Sequence, residues 1–146
     1  MPLQRAAIAA AVVGALCVAA AGCGDSGDAG RVDATESDPR IYVSTRNGGH
    51  QAEITGRVVY ETSTRCLLLA TGSPTGVIWP AGSTPILEDG RRGVDVPGVG
   101  SVFEGDTIRA AGGAVDVTNW PEIDQEMPDC RPGDGVLALF TVDEVR

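Results

Sequence analysis

Cysteine carries most of the reactive potential of this sequence. Thiols stand at Cys17, Cys23, Cys66 and Cys130, and such groups are acylated, oxidised to disulfides or left as inert core residues according to their surroundings. Carboxylates are the second reactive class. Glu122, Asp124, Glu126, Asp129 and Asp134, with Asp116 just before them, face a single basic residue, Arg131. Oxygen ligands at alternating positions suit Ca²⁺, which takes roughly six to eight of them. The EF-hand spacing fails here, because no Gly occupies the turn position and no Glu closes the loop. A solvated acidic loop is therefore expected over residues 121–134, with Glu122, Asp124, Glu126 and Asp129 the remaining metal candidates and no cofactor expected. Trp79-Pro80 and Trp120-Pro121 are a third feature. Proline biases each preceding Trp towards extended backbone. Each ring then either caps a core or contacts a sugar, a peptide or another apolar ligand.

Acyl-transfer catalysis finds little support. His50 is the single histidine and sits in the hinge-like Asn47-Gly48-Gly49-His50, whereas a triad needs an imidazole held rigidly beside its nucleophile. G-x-S-x-G, P-loop and dinucleotide motifs are missing. No catalytic residue is assigned and an enzyme is not expected.

The N-terminus reads as an export segment. Arg5 is the only charged side chain before Asp25, and Ala6 to Gly22 are apolar or small. A basic start, an apolar stretch and a small-residue cut site are the parts of a secretory signal. The stretch is Ala-rich and slightly short of the roughly 20 residues that span a bilayer. Ala20-Ala21-Gly22-Cys23 resembles a bacterial lipobox, which implies cleavage before Cys23, diacylglycerol on its sulfur and attachment to the cell membrane on its extracytoplasmic side. Ala19-Ala20-Ala21 also offers a site to the ordinary signal peptidase, which would leave Cys23 unmodified. Cysteine parity bears on this choice. A processed chain keeps Cys23, Cys66 and Cys130, an odd number in an oxidising compartment. Acylation of Cys23 leaves Cys66 and Cys130 as one pair, expected to be a disulfide.

Composition narrows the partners. Formal net charge is −9, and removing Arg5 with residues 1–22 makes it −10. That disfavours nucleic acid, whose phosphates need a basic patch, and direct docking on anionic lipid. Membrane contact is expected through the lipid alone. An envelope protein or a small molecule remains as partner. All eleven basic residues are arginine, as in proteins from GC-rich genomes.

The elements that must position these residues are strands and turns. Polar residues 23–50 read as a lipidated terminus and tether, with Ile41-Tyr42-Val43 a short edge strand, and residues 51–146 as one domain. Ile54, Gly56, Val58 and Tyr60 alternate with polar neighbours, a half-buried strand. Arg65–Thr71 reads as a central strand, Gly72 to Gly76 as the turn into Val77-Ile78-Trp79, and Pro80, Gly82 and Pro85 as sheet breakers. Val99–Phe103 and Thr107–Ala111 read as strands joined at Glu104-Gly105-Asp106, with Gly112-Gly113 ending the second. Val136–Val142 is the closing strand. The expectation is an all-β fold of about six strands, a small antiparallel barrel resembling the OB type or a sandwich, with a late strand closing against the first.

Gly56-Arg57-Val58, Cys66-Leu67, Ile78-Trp79-Pro80-Ala81-Gly82, Gly105-Asp106-Thr107-Ile108 and Gly112-Gly113 resemble a loose group of small secreted β-rich lipoproteins from GC-rich bacteria. These are turn and core elements, and the resemblance implies no activity. The expected role is a lipid-anchored binding or accessory module, with a structural lipoprotein of a larger envelope complex as the alternative and a hydrolase as a distant third. Cys23→Ala is expected to release the protein from the membrane fraction. A variant as firmly membrane-bound as the parent contradicts lipidation.

Overall fold

The computed structural model describes residues 32–35, 37–45, 52–126 and 128–146. The export segment, Cys23 and His50 lie outside the described residues. Two short strands, β1 (Val32–Ala34) and β2 (Tyr42–Ser44), precede β3 (Ala52–Glu61), β4 (Cys66–Ala70) and β5 (Pro74–Trp79). A separate small sheet follows, built from β6 (Thr84–Glu88), β7 (Arg91–Val96) and β8 (Gly100–Phe103). β9 (Thr107–Ala114) and β10 (Val136–Val145) complete the chain, with the helix α1 (Pro121–Glu126) and three short 3-10 turns in the connection between them.

The fold is all-β, and its centre is a closed barrel. β3, β4, β5, β10 and β9 pair in that cyclic order, with β9 returning to β3. A three-stranded meander whose third strand lies beside the fifth, while the fourth joins the fifth to the first, is the connectivity of an OB-type Greek-key barrel. Every barrel pairing is antiparallel except β5 with β10, which is parallel. The late strand that closes against β3 is β9, and β10 is held between β5 and β9.

Alternation along the strands sorts side chains into two cores. Leu67 and Leu69 of β4, Val77 and Trp79 of β5 and Leu139 of β10 point into the barrel with Val58 and Ile108. Their sequence neighbours Cys66, Leu68, Ile78, Val136 and Ala138 point outward into a second core with Tyr42, Ile123 and Cys130. These strands are thus apolar on both faces, as strands covered on both sides must be. β3 and β9 present polar side chains such as Arg57 and Arg109 on their outer face. The small sheet contributes Val94, Val96 and Val102 to the barrel core.

Several expectations are corrected. The domain begins before residue 51, because Ile41, Tyr42 and Val43 are buried and β2 pairs with Ile78 and Trp79 of β5. Arg40 donates its N–H to the Arg65 carbonyl at 2.7 Å and accepts from Leu67 N–H at 3.1 Å. Residues 40–43 thereby occupy the gap where β4 and β5, paired only at Leu69–Thr75 and Ala70–Pro74, have separated. The strands flanking Glu104-Gly105-Asp106 belong to different sheets, since β8 pairs with β7 and β9 with β3. Pro85 lies within β6 rather than breaking it, on a strand with one partner, where a missing N–H is tolerated. Gly112-Gly113 continues β9. A Cβ on Gly112 would collide with the Ala138 carbonyl, so glycine lets β10 approach at its bulge between Leu139 and Thr141. The acidic segment is not an open loop but carries α1, started by Pro121, which is suited to a first helical turn.

Cys66 and Cys130 form a disulfide with Cα atoms 5.4 Å apart, joining the first residue of β4 to a 3-10 turn of the β9–β10 connection. The bridge spans 64 residues, and restricting the unfolded chain over that distance contributes about 4 kcal/mol. Alkylating the denatured, unreduced chain should label neither cysteine, and the Cys66→Ala/Cys130→Ala pair should lower unfolding free energy by about 4 kcal/mol in guanidinium titrations. Two labelled thiols, or a loss below about 1 kcal/mol, contradict this role.

Candidate functional site

Two turns and one long connection converge beside β4. The first is the β3–β4 turn. Glu61 ends β3, and its Oε1 accepts from the Ser63 hydroxyl at 2.9 Å and the Ser63 N–H at 3.4 Å, which fixes the carboxylate over the turn. Arg65 closes the turn at φ 62°, an uncommon conformation for a side-chain-bearing residue. Its carbonyl is held by Arg40.

The connection of residues 115–135 supplies the opposite wall. Asp116 opens it as a cap, its Oδ1 accepting from Thr118 Oγ1 at 2.7 Å and Thr118 N–H at 3.0 Å. Those two bonds hold its carboxyl below the usual range, since they favour the charged form. Asp116 is therefore committed to local structure. Further on, Ile123 inserts fully into the outer core. Cys130 then fastens the connection to β4. β5 passes close beneath it: a Cβ on Gly76 would lie 2.8 Å from the Cys130 carbonyl oxygen, so glycine permits the contact.

Between these walls lies a cleft of about 500 Å³. Glu61, Ser63 and Thr64 line it from the β3–β4 turn, Leu68 from β4, and Ser73 and Pro74 from the following turn. Asp129, Pro132 and Gly133 line it from the connection. Hydroxyls and carboxylates over a short apolar floor suit recognition by hydrogen bonding. Thr64 Oγ1 is buried and has no hydrogen-bond partner among the described residues. A second hollow, about 300 Å³, lies between the β7–β8 turn and β10 and is walled mainly by Pro80, Pro97, Val99, Phe140 and Val142. Its carboxylate, Asp143, accepts from the Thr141 hydroxyl at 3.1 Å.

The residues singled out from sequence are distributed differently. Trp79 is 0 % exposed inside the barrel, and its Nε1 has no partner among the described residues. Of the two places open to it, core or ligand surface, β5 directs it into the core, where a solvent-borne ligand cannot reach. Trp120 is half-buried and packs against the outer core. Neither Trp lines the cleft. Asp129 does line it. The side chains of Glu122, Asp124, Glu126 and Asp134 lie outside the described residues. Among the described residues, no three His, Cys, Asp or Glu side chains gather where they could hold a metal ion. Ser63, Thr64, Leu68 and Ser73 carried no sequence signal beyond their nearness to Cys66 and to the turns.

A polar network braces the base of the β3–β4 turn. The Tyr60 hydroxyl donates to Asp38 Oδ1 at 2.9 Å, and the Arg92 guanidinium lies 4.5 Å over the Tyr60 ring. Arg92 Nε is 3.5 Å from the same Asp38 oxygen. Three elements meet there: the segment before β2, the end of β3 and the start of β7. Burial raises the Tyr60 pKa, and donation to the Asp38 carboxylate raises it further.

No family model matches the chain, and neither the curated proteins nor the solved structures yield a match.

The Tyr60 shift gives a pH test. Its neutral form is favoured in the folded state, so the stability from this network is present below pH 10.0, the ordinary tyrosine value, and is lost as pH rises through the higher folded value. Absorbance titration at alkaline pH, with Tyr60→Phe to assign the signal, should show Tyr60 ionising above its ordinary value and Asp38→Asn bringing it part of the way down. A midpoint unmoved by Asp38→Asn contradicts the network.

Proposed function

We propose that the chain is exported, anchored by lipid on Cys23 to the extracytoplasmic side of the cell membrane, and serves as a binding or accessory module whose recognition surface is the cleft beside β4. The observation that carries this reading is the convergence of Glu61, Ser63, Thr64 and Asp129 around one cleft of about 500 Å³, within the range of small-ligand and peptide sites. OB-type barrels use the outer face of their second and third strands, with the first hairpin loop and the loop between strands four and five, for recognition. The β3–β4 turn and the 115–135 connection are the corresponding loops here. Such a likeness favours a location rather than a ligand.

Nine positions separate Cys23 from Val32, so an anchored barrel stands no more than about 30 Å from the lipid attachment. An acyl anchor of two chains holds a protein durably, and the barrel then needs no membrane affinity of its own. The formal charge of −9 disfavours nucleic acid as ligand. An assembly role through a broad apolar face has less support. Among the described residues the exposed large hydrophobics are Leu87 and Val99, at opposite ends of β7 in the small sheet, and contiguous patches mark such interfaces.

A photo-cross-linking residue introduced in place of Ser63 in the full-length protein, expressed in its own envelope, tests the reading. Adducts at position 63 that are missing when the probe replaces Leu87 are expected. Adducts at 87 and none at 63 contradict the cleft as recognition surface and favour an assembly role.

A further inference from the structure

We infer that the cleft beside β4 takes an extended basic peptide segment; this rests on the cleft being the recognition surface proposed above. Shape is the first argument. The lining runs from Glu61, Ser63 and Thr64 at the start of β4, past Leu68, to Ser73 and Pro74 beyond its end. Five strand residues cover about 17 Å at roughly 3.3 Å each, the length of four or five residues of extended chain.

Charge is the second argument. Among the described residues, both ionisable groups in the lining, Glu61 and Asp129, are acids, and no basic residue lines the cleft. They stand on opposite walls, one on the β3–β4 turn and the other on the disulfide-held connection. The Glu61 carboxylate is already oriented by Ser63, so a cation meets it without a further ordering cost. A net charge of −9 adds a long-range field that attracts cations and repels anionic segments. Hydrogen bonding is the third. The exposed hydroxyls of Ser63 and Ser73 can meet peptide amides. Among the described residues the lining contains no aromatic ring on which a sugar could stack, which favours a peptide over a glycan.

The test uses the full-length chain in non-ionic detergent with three dye-labelled, end-blocked pentapeptides, identical except that two positions carry lysine, serine or glutamate. Fluorescence anisotropy should show the lysine peptide binding and the glutamate peptide at least about tenfold weaker. Glu61→Gln and Asp129→Asn should each weaken the lysine peptide about threefold, as expected for part-exposed pairs, and added salt should weaken it further. Equal affinity for the three peptides overturns the charge assignment, as does lysine-peptide binding indifferent to both substitutions. Failure of all three to bind overturns the inference as well. A cross-link from position 63 to something other than a basic peptide would then keep the recognition surface while discarding this ligand.

Discussion

The bridge between Cys66 and Cys130 is the constraint on which the rest of the molecule turns. It lies within the outer core, among Leu68, Ile78 and Ile123, and it fastens a connection of about twenty residues to a barrel strand. Without such a fastening, the outward face of β4, β5 and β10 would present Leu68, Ile78 and Ala138 to water, at roughly 25 cal/mol per Å² of apolar surface. With it, the connection covers that face, and the uncovered margin beside the β3–β4 turn becomes a cleft. Outer core and cleft are therefore two consequences of one covalent link. Residues 40–43 complement it from the other side by filling the opening between β4 and β5.

How far the sequence could be read follows from how many sides each strand buries. β3 alternates cleanly because its outer face is solvated, so its bounds and its inward residues Ile54, Val58 and Tyr60 were legible from period alone. β4 and β5 are covered on both sides, and a run such as Cys66-Leu67-Leu68-Leu69 says that a strand is central without saying what covers it. Strand partners were less legible still. Glu104-Gly105-Asp106 has the chemistry of a hairpin turn, yet Arg92 and Val58 backbone atoms engage it and it carries the chain from one sheet to the other. Local turn chemistry cannot distinguish these outcomes, because pairing is settled by which apolar faces must meet. The small sheet supplies Val94, Val96 and Val102 to the barrel interior, and that demand separates β8 from β9.

The site shows the same division. Parity pointed to Cys66 and Cys130, because a count of thiols needs no knowledge of the strands that carry them. Trp79 drew attention as a large aromatic beside proline, but the inward phase of β5 gives it a structural task. Asp116 belonged by composition to an acidic cluster, and Thr118 engages it as a cap. The residues that do line the cleft are serines, a threonine and prolines in turns, types that mark chain reversal wherever they occur. Only the three-dimensional convergence of the β3–β4 turn with the 115–135 connection sets Ser63, Thr64 and Asp129 around one space.

The central claim is that the disulfide-held connection lies on the outer face of the barrel and thereby forms the cleft. Methyl nuclear Overhauser spectroscopy on the oxidised full-length chain tests it most directly. The account predicts cross-peaks from the Ile123 methyls to methyl groups of the outer core, drawn from Leu68, Ile78, Val136 and Ala138. An Ile123 that shows contacts only within its own connection, with Leu68 and Ile78 open to solvent, would contradict it.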